Sequence, residues 1–282
     1  MISGASDNRR SGVRKDSILH IQQDIHIHTA LSSCAEPDAT VENYLEQAKR
    51  DGLTLLGFSD HLWDQDVPGA SNWYRPQNTD HVLALKQTLP EWARRSGIRL
   101  LFGCETEFTY EGKLCLTEEH MELFDYILVP HSHTHMKVVM PPELGDTPDK
   151  QAKYLMDSFM RLVRHPLSSR ITAIAHPFVP GTKFFLYNDI QSRIPDSYLR
   201  EAFSAAAEKG IAIELNGSCL TYLPDKEVLC CEYVRIYTVA KECGCRFSYG
   251  SDSHSCRTNR KLPLIEAFLS QCGITDEDFI RF

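Results

Sequence analysis

The sequence predicts an α/β fold in which seven strands alternate with helices around a parallel sheet. Three observations lead there. Short apolar runs alternate with longer segments of helical period, the pattern of repeated β-α units. The helical segments carry recognisable start and stop residues. The 282 residues, 42% of them hydrophobic, suffice for one large core, and no repeat, low-complexity stretch or linker divides the chain after its polar opening. Residues 1–20 are expected to be a flexible segment, and 21–282 a single domain whose length permits a closed barrel.

The expected strands lie near 22–28, 53–59, 98–105, 124–131, 171–176, 211–216 and 246–252. Between the first two, Thr40 can cap a helix that carries Val41, Tyr44, Leu45 and Ala48 on one face and stops at Gly52. Thr147-Pro148 opens another helix, with Ala152, Leu155, Phe159 and Leu162 as its apolar side. A third runs from Asp196 to Gly210 and a fourth from Asp225 to Gly244. All four read as packing helices.

Charge and cysteine usage exclude several function classes. The net charge is −8 and the basic residues are scattered, so there is no electrostatic footprint for nucleic acid or an anionic membrane. The opening segment contains Asp7, Arg9, Arg10, Arg14 and Lys15 where a signal peptide would be apolar, and no apolar run approaches membrane-spanning length. A cytoplasmic protein acting on a small substrate is expected. The ten cysteines read as reduced packing residues, since Cys230-Cys231 and Cys243-x-Cys245 lack the matching pair of a zinc knuckle.

The chemistry lies at the strand ends. Asp24-Ile25-His26-Ile27-His28 closes the first strand, and its histidines, two residues apart, project from one face of an extended chain. The second strand ends in Ser59-Asp60-His61, the third in Gly103-Cys104-Glu105, the fifth in Ala175-His176-Pro177 and the last in Gly250-Ser251-Asp252-Ser253-His254. After the fourth come His131, His133 and His135. Buried histidines and carboxylates are costly to desolvate unless paired or bound to a cation, and the C-terminal mouth of a β-α barrel is where such groups converge. Imidazole with carboxylate suits zinc, manganese or iron.

In this order and spacing, from Asp24 to His254, the motifs resemble the PHP (polymerase and histidinol phosphatase) superfamily. The resemblance implies a distorted seven-stranded (β/α)7 TIM-like barrel holding two or three divalent metal ions. It also implies the chemistry of phosphoesterases such as histidinol phosphatase or of polymerase-associated exonucleases, between which the acidic balance favours small esters. Carried over residue by residue, His26, His28 and Asp252 would bind one metal, and Glu105 would bridge to a second. The second would be completed by His176 and by His131 or His133, with His133 preferred. A third would take His61 and His254, and Cys34 stands where the family often has His or Asp.

The expected reaction is in-line attack of a metal-bound hydroxide on phosphorus, with Glu105 bridging and Asp252 or His254 passing a proton to the leaving alkoxide. Arg257 and Arg260 follow the last motif closely enough to clamp phosphate oxygens, with Lys113, Lys137 and Lys183 as weaker candidates. Asn216, two residues after Glu214, is expected to contact substrate, and His135 either to touch substrate or to face solvent. Asp24 is a candidate to orient a ligand histidine. Loops 62–79, with Trp63, Trp73 and Tyr74, and 177–195, with Phe178, Phe184, Phe185 and Tyr187, would shape the pocket. The competing readings are an amidohydrolase, which would want a bridging lysine on the fourth strand, and a metal-binding protein without catalysis.

Overall fold

The computed structural model describes residues 20–145, 147–181, 186–221, 223, 225–229 and 231–282. Lys183, Phe184, Phe185 and Cys230 lie outside these, as do residues 1–19 of the opening segment. The strands are β1 (Gln23–Ile27), β2 (Leu55–Phe58), β3 (His61–Leu62), β4 (Arg99–Thr106), β5 (Tyr126–Pro130), β6 (Ala173–Ala175), β7 (Ala212–Asn216) and β8 (Phe247–Gly250). All pairings are parallel in the order β1-β2-β4-β5-β6-β7-β8. The two-residue β3 pairs with β4 and continues the line of β2 after Ser59 and Asp60. The seven expected strands are therefore present, with the second in two pieces.

The barrel is nearly closed. Ile27 bridges in parallel to Ser253, just past β8, and the His28 N–H donates to the Ser253 carbonyl at 2.9 Å. Because every strand runs the same way, all C-terminal ends share one rim, and the polar residues that follow the strands meet there. Below the rim the interior is filled by Ile25, Leu101, Tyr126, Leu128, Ala173, Ala175 and Ala212. Tyr126 crosses it against two glycines: a Cβ on Gly57 would lie 2.5 Å from the Tyr126 hydroxyl, and one on Gly103 2.3 Å from its ring. A plugged barrel confines the chemistry to its mouth.

The helices form the outer layer. In Val41–Asp51 the Thr40 hydroxyl accepts the Asn43 N–H, Gly52 closes the helix at φ 74°, and Val41, Tyr44, Leu45 and Ala48 face the core as the pattern predicts. Pro148–Val163 and Asp196–Glu208 match their expected ranges. The expected fourth helix is instead two, Asp225–Val228 and Glu232–Glu242. Cys231 is extended between them, and the freed Glu232 N–H donates to Asn188 Oδ1 at 2.9 Å, a long-range cap that local periodicity does not reveal. Among the described residues no helix is long and apolar enough to cross a membrane.

Candidate functional site

The site starts from His26 in β1 and His28 one residue past its end. Strand alternation turns both inward, and their Nε2 atoms lie 3.1 Å apart in full burial. The outer nitrogen of each ring is committed. His26 Nδ1 meets Glu214 Oε1 at 2.6 Å, and His28 Nδ1 meets Ser32 Oγ at 3.2 Å, whose own hydroxyl donates to Asp60 at 2.7 Å. Both Nδ1 atoms therefore carry the proton and both Nε2 atoms turn a lone pair into the site, a tautomer assignment that follows from the partners. Asp252 Oδ1 lies 3.3 Å from His28 Nε2 and 3.6 Å from His26 Nε2, and Glu105 Oε2 is 3.6 Å from each.

Four acceptors thus face one another with no donor between them, an arrangement that needs a proton or a metal ion at its centre. Burial works against charge on His26, but Glu214, Asp252 and Glu105 outweigh it and hold this imidazole well above its ordinary range. Burial, reinforced by His254 and His61, holds His28 well below it.

The same construction recurs beside it. Glu105 Oε1 lies 3.0 Å from His176 Nε2 and 3.8 Å from His133 Nε2. His176 Nδ1 donates to Ser132 Oγ at 2.9 Å, since the Ser132 hydroxyl is itself spent on the His176 carbonyl, and His133 Nδ1 donates to Glu107 at 2.7 Å. Glu105 thus presents one oxygen to each group. Burial pushes its carboxyl up, but His26, His61 and His176 overcome this and hold it well below the usual carboxylate range. His28, His61 and His254 form a third group, with donor atoms all within 4.8 Å of one another. Cys34 hydrogen-bonds with His254 and His61 at the edge of this group; burial raises its thiol, but the imidazoles prevail and bring it down to about 6.

The backbone is shaped to this purpose. His176 at φ 31° and Asp252 at φ 53° hold left-handed conformations, uncommon for any residue other than glycine although Asp and His adopt them more readily than most. Glu214 Oε2 accepts the His176 N–H at 2.7 Å, and the His26 carbonyl accepts the Asp252 N–H at 2.7 Å. At Gly250 a Cβ would fall 2.2 Å from Glu214 Oε1 and 2.3 Å from His26 Cβ, so only glycine lets β8 approach the pair.

The structure brings His26, His28, His61, Glu105, His133, His176, Asp252 and His254 together at the mouth. His131 does not join them. It is fully buried, its ring stands edge-on to Phe159 and Phe178, and its Nε2 accepts the Phe178 N–H at 3.0 Å. The chain bends after Pro130, so His131 and His133 do not share a face as extended residues would.

The expected phosphate clamp fails as well. Arg260 is buried with Nε on Asp24 and Nη1 on Asp51, each at 2.8 Å, and exposed Arg257 pairs with Asp38 at 2.7 Å. Lys113 donates to the Pro68 carbonyl, and Lys137 is exposed. Asn216 is buried and donates to Glu214 at 3.1 Å and Asp252 at 3.3 Å. Asp24 serves Arg260 and the Ser251 N–H, and the task expected of it falls to Glu214. Glu107, Ser32 and Ser132 were missed. Glu107 was visible as the next same-phase residue after Glu105, and Ser132 as the neighbour of His133.

Over the three groups opens a cavity of about 570 Å³, walled by Trp73, Tyr74, Met136, Val179 and Tyr187 and reached by His135 and Glu36. Phe178, by contrast, belongs to the core, as does Trp63, whose indole donates to the Val67 carbonyl. Among the described residues no Lys or Arg lines the cavity. A further group, Asp64, Asp66 and His120, is closed on itself, because Asp64 accepts from Thr117, Asp66 and His120.

The PHP domain family model matches residues 24–218. A protein of Aliivibrio fischeri named a probable phosphatase is 25% identical over 265 residues, covering 93% of this chain and 90% of its own. One of the same name from Aeromonas hydrophila is 28% identical over 233 residues, covering 82% and 77%. Among solved structures, a histidinol phosphate phosphatase from Lactococcus lactis, complexed with zinc, L-histidinol and phosphate, is similar with a TM-score of 0.65 at 16% identity, over 90% of this chain and 94% of that one. At that identity the likeness is one of fold.

Proposed function

The chain belongs to the PHP domain family and is a phosphoester hydrolase, and from that premise we propose that it is a metal-dependent phosphomonoesterase acting on a small ester such as histidinol phosphate or a related metabolite. One observation carries the reading. Four imidazoles, His26, His28, His133 and His176, have their outer nitrogens held by acceptors and turn bare Nε2 atoms toward Glu105 and Asp252. Such a donor set fits divalent zinc, manganese or iron. His26, His28 and Asp252 would hold one ion and Glu105, His133 and His176 a second. His61 and His254, with His28 or the Cys34 thiolate, would hold a third.

Bound there, the ions supply an activated water and offset the charge that develops on the phosphoryl oxygens. The chain's own residues do the rest. Glu105 keeps the two groups at a fixed separation, and Asn216 holds Asp252 in place. His254, with its side chain 33% exposed, reaches the cavity and is placed to return a proton to the leaving alkoxide when the third group is unfilled. Asp252, which burial raises but His26, His28 and His254 bring well below the usual carboxylate range, stays an unprotonated ligand. A cavity of this size without a described cationic side chain leaves phosphate binding to the ions and suits a neutral or amine-bearing leaving group better than a polynucleotide.

Metal analysis coupled to a panel of phosphomonoesters and phosphodiesters, before and after chelation, tests this. The expected result is hydrolysis of at least one monoester, lost with chelator and restored by manganese or zinc. A fully loaded protein that turns over no ester would overturn the assignment.

A further inference from the structure

Glu107 lies two residues beyond Glu105, and its side chain is fully buried. Its Oε1 accepts two hydrogen bonds, one from His133 Nδ1 at 2.7 Å and one from the Tyr74 hydroxyl. Its Oε2 is buried with no hydrogen-bond partner. The two donors belong to different parts of the site: His133 is in the group around Glu105, whereas Tyr74 forms the wall of the cavity. Tyr74 stands perpendicular to Trp73 at 4.6 Å, and Trp73 in turn lies edge-on to His61 at 5.4 Å. A single carboxylate oxygen therefore joins a metal-ligating ring to the aromatic surface that a leaving group would meet.

We propose that Glu107 is a positioning residue that couples cation binding at His133 to the placement of the Tyr74–Trp73 wall. The coupling follows from the chemistry of the imidazole. A cation on Nε2 withdraws density from the ring and makes its Nδ1–H a stronger donor, which tightens the bond to Glu107. In the other direction, the carboxylate raises the basicity of Nε2 and holds the ring in the tautomer that leaves it bare. Fixing the carboxylate fixes the Tyr74 hydroxyl, and the Trp73 ring packed on Tyr74 follows. Loading the ion and forming the wall of the leaving-group pocket become one event.

The ligand set is that of the phosphoesterase reading, but the measurement needs no turnover. Metal-free protein is titrated with zinc alone, and separately with manganese, while affinity is read by chelator competition and the wall by tryptophan emission. Trp73→Phe identifies the share of the signal from Trp73 among the three tryptophans. In the wild type, Trp73 emission is expected to change in step with filling of the Glu105–His133–His176 group. Glu107→Met, which removes the oxygen that both donors share, should weaken that ion about 10–100-fold and abolish the emission change. Tyr74→Phe, which removes only the upper hydrogen bond, should keep near-wild-type affinity while losing the emission change.

A merely structural Glu107 would give a different pattern. The variant's Tm would fall equally in the metal-free and loaded protein, with affinity and emission response as in the wild type, and that result overturns the proposal. Should Glu107→Met not fold, Tyr74→Phe decides: an emission change that persists undiminished at full metal occupancy also overturns it. Absence of ester turnover, with these binding results intact, would count against the proposed activity alone.

Discussion

Replacing Glu214 with Gln should damage the site through hydrogen bonding as much as through charge. Glu214 uses both oxygens on donors, Oε1 on His26 Nδ1 at 2.6 Å and Oε2 on the His176 N–H at 2.7 Å, and it is fully buried. An amide has one oxygen and one NH2, so whichever way it turns, a donor is set against a donor. A buried donor left unsatisfied costs about 1–3 kcal/mol. If the NH2 faces His26, the ring can escape only by moving its proton to Nε2, which removes the lone pair from the centre; if it faces His176, the strained φ 31° loses its support.

Loss of a carboxylate behind a ligand imidazole weakens metal binding about 10–100-fold, which is about 1.4–2.8 kcal/mol at a factor of ten per 1.4 kcal/mol. Chemical denaturation of the metal-free variant should therefore show lowered stability, and chelator competition a weaker first ion. A Glu214→Gln protein with the wild-type denaturation midpoint and metal affinity would refute the reasoning.

Two further outcomes follow from residues the structure removes from the chemistry. Burial, with the nearby His176 adding to it, lowers His131 to about 3 from an ordinary value near 6.5. The unfolded chain then binds its proton first, so the stability that a neutral His131 contributes is complete above about 6.5 and is lost as the pH falls toward about 3, at up to about 1.4 kcal/mol per unit. Denaturation midpoints of metal-free protein between these limits should fall more steeply with acid for the wild type than for His131→Gln, and equal slopes would contradict the assignment. Arg260→Ala should cost about 3–5 kcal/mol by leaving buried Asp24 without its cation, whereas Arg257→Ala, at an exposed pair, should change stability by at most about 1 kcal/mol. A lowered kcat with an unshifted denaturation curve for Arg260→Ala would restore it as a substrate clamp.

The parts of this protein that were legible in the sequence share a local origin. Alternating apolar runs and capped helices reveal β-α units because alternation and capping are properties of neighbouring residues, as Thr40 and Gly52 show. The same-phase pairs His26/His28 and Asp252/His254, sitting after strands that all run one way, project to one rim for the same reason. Residues that depend on distant partners were not legible. Arg260 looked available for phosphate because it follows the Asp252 motif, yet its carboxylates, Asp24 and Asp51, come from more than 200 residues away. His131 and His133 were indistinguishable until the bend after Pro130 turned one into the Phe159–Phe178 core and the other toward Glu105. Glu214 and Glu107 lay in plain alternation, but what each one holds is set by residues far along the chain, His26 and His176 for the first and Tyr74 and His133 for the second.

The measurement that bears most directly on all of this is anomalous diffraction from crystals grown with zinc or manganese. The account predicts one cation among His26, His28 and Asp252 and another among His133, His176 and Glu105, both contacted by Glu105. Cations bound only elsewhere, for instance at Asp64, Asp66 and His120, with these groups empty at saturating metal, would contradict it.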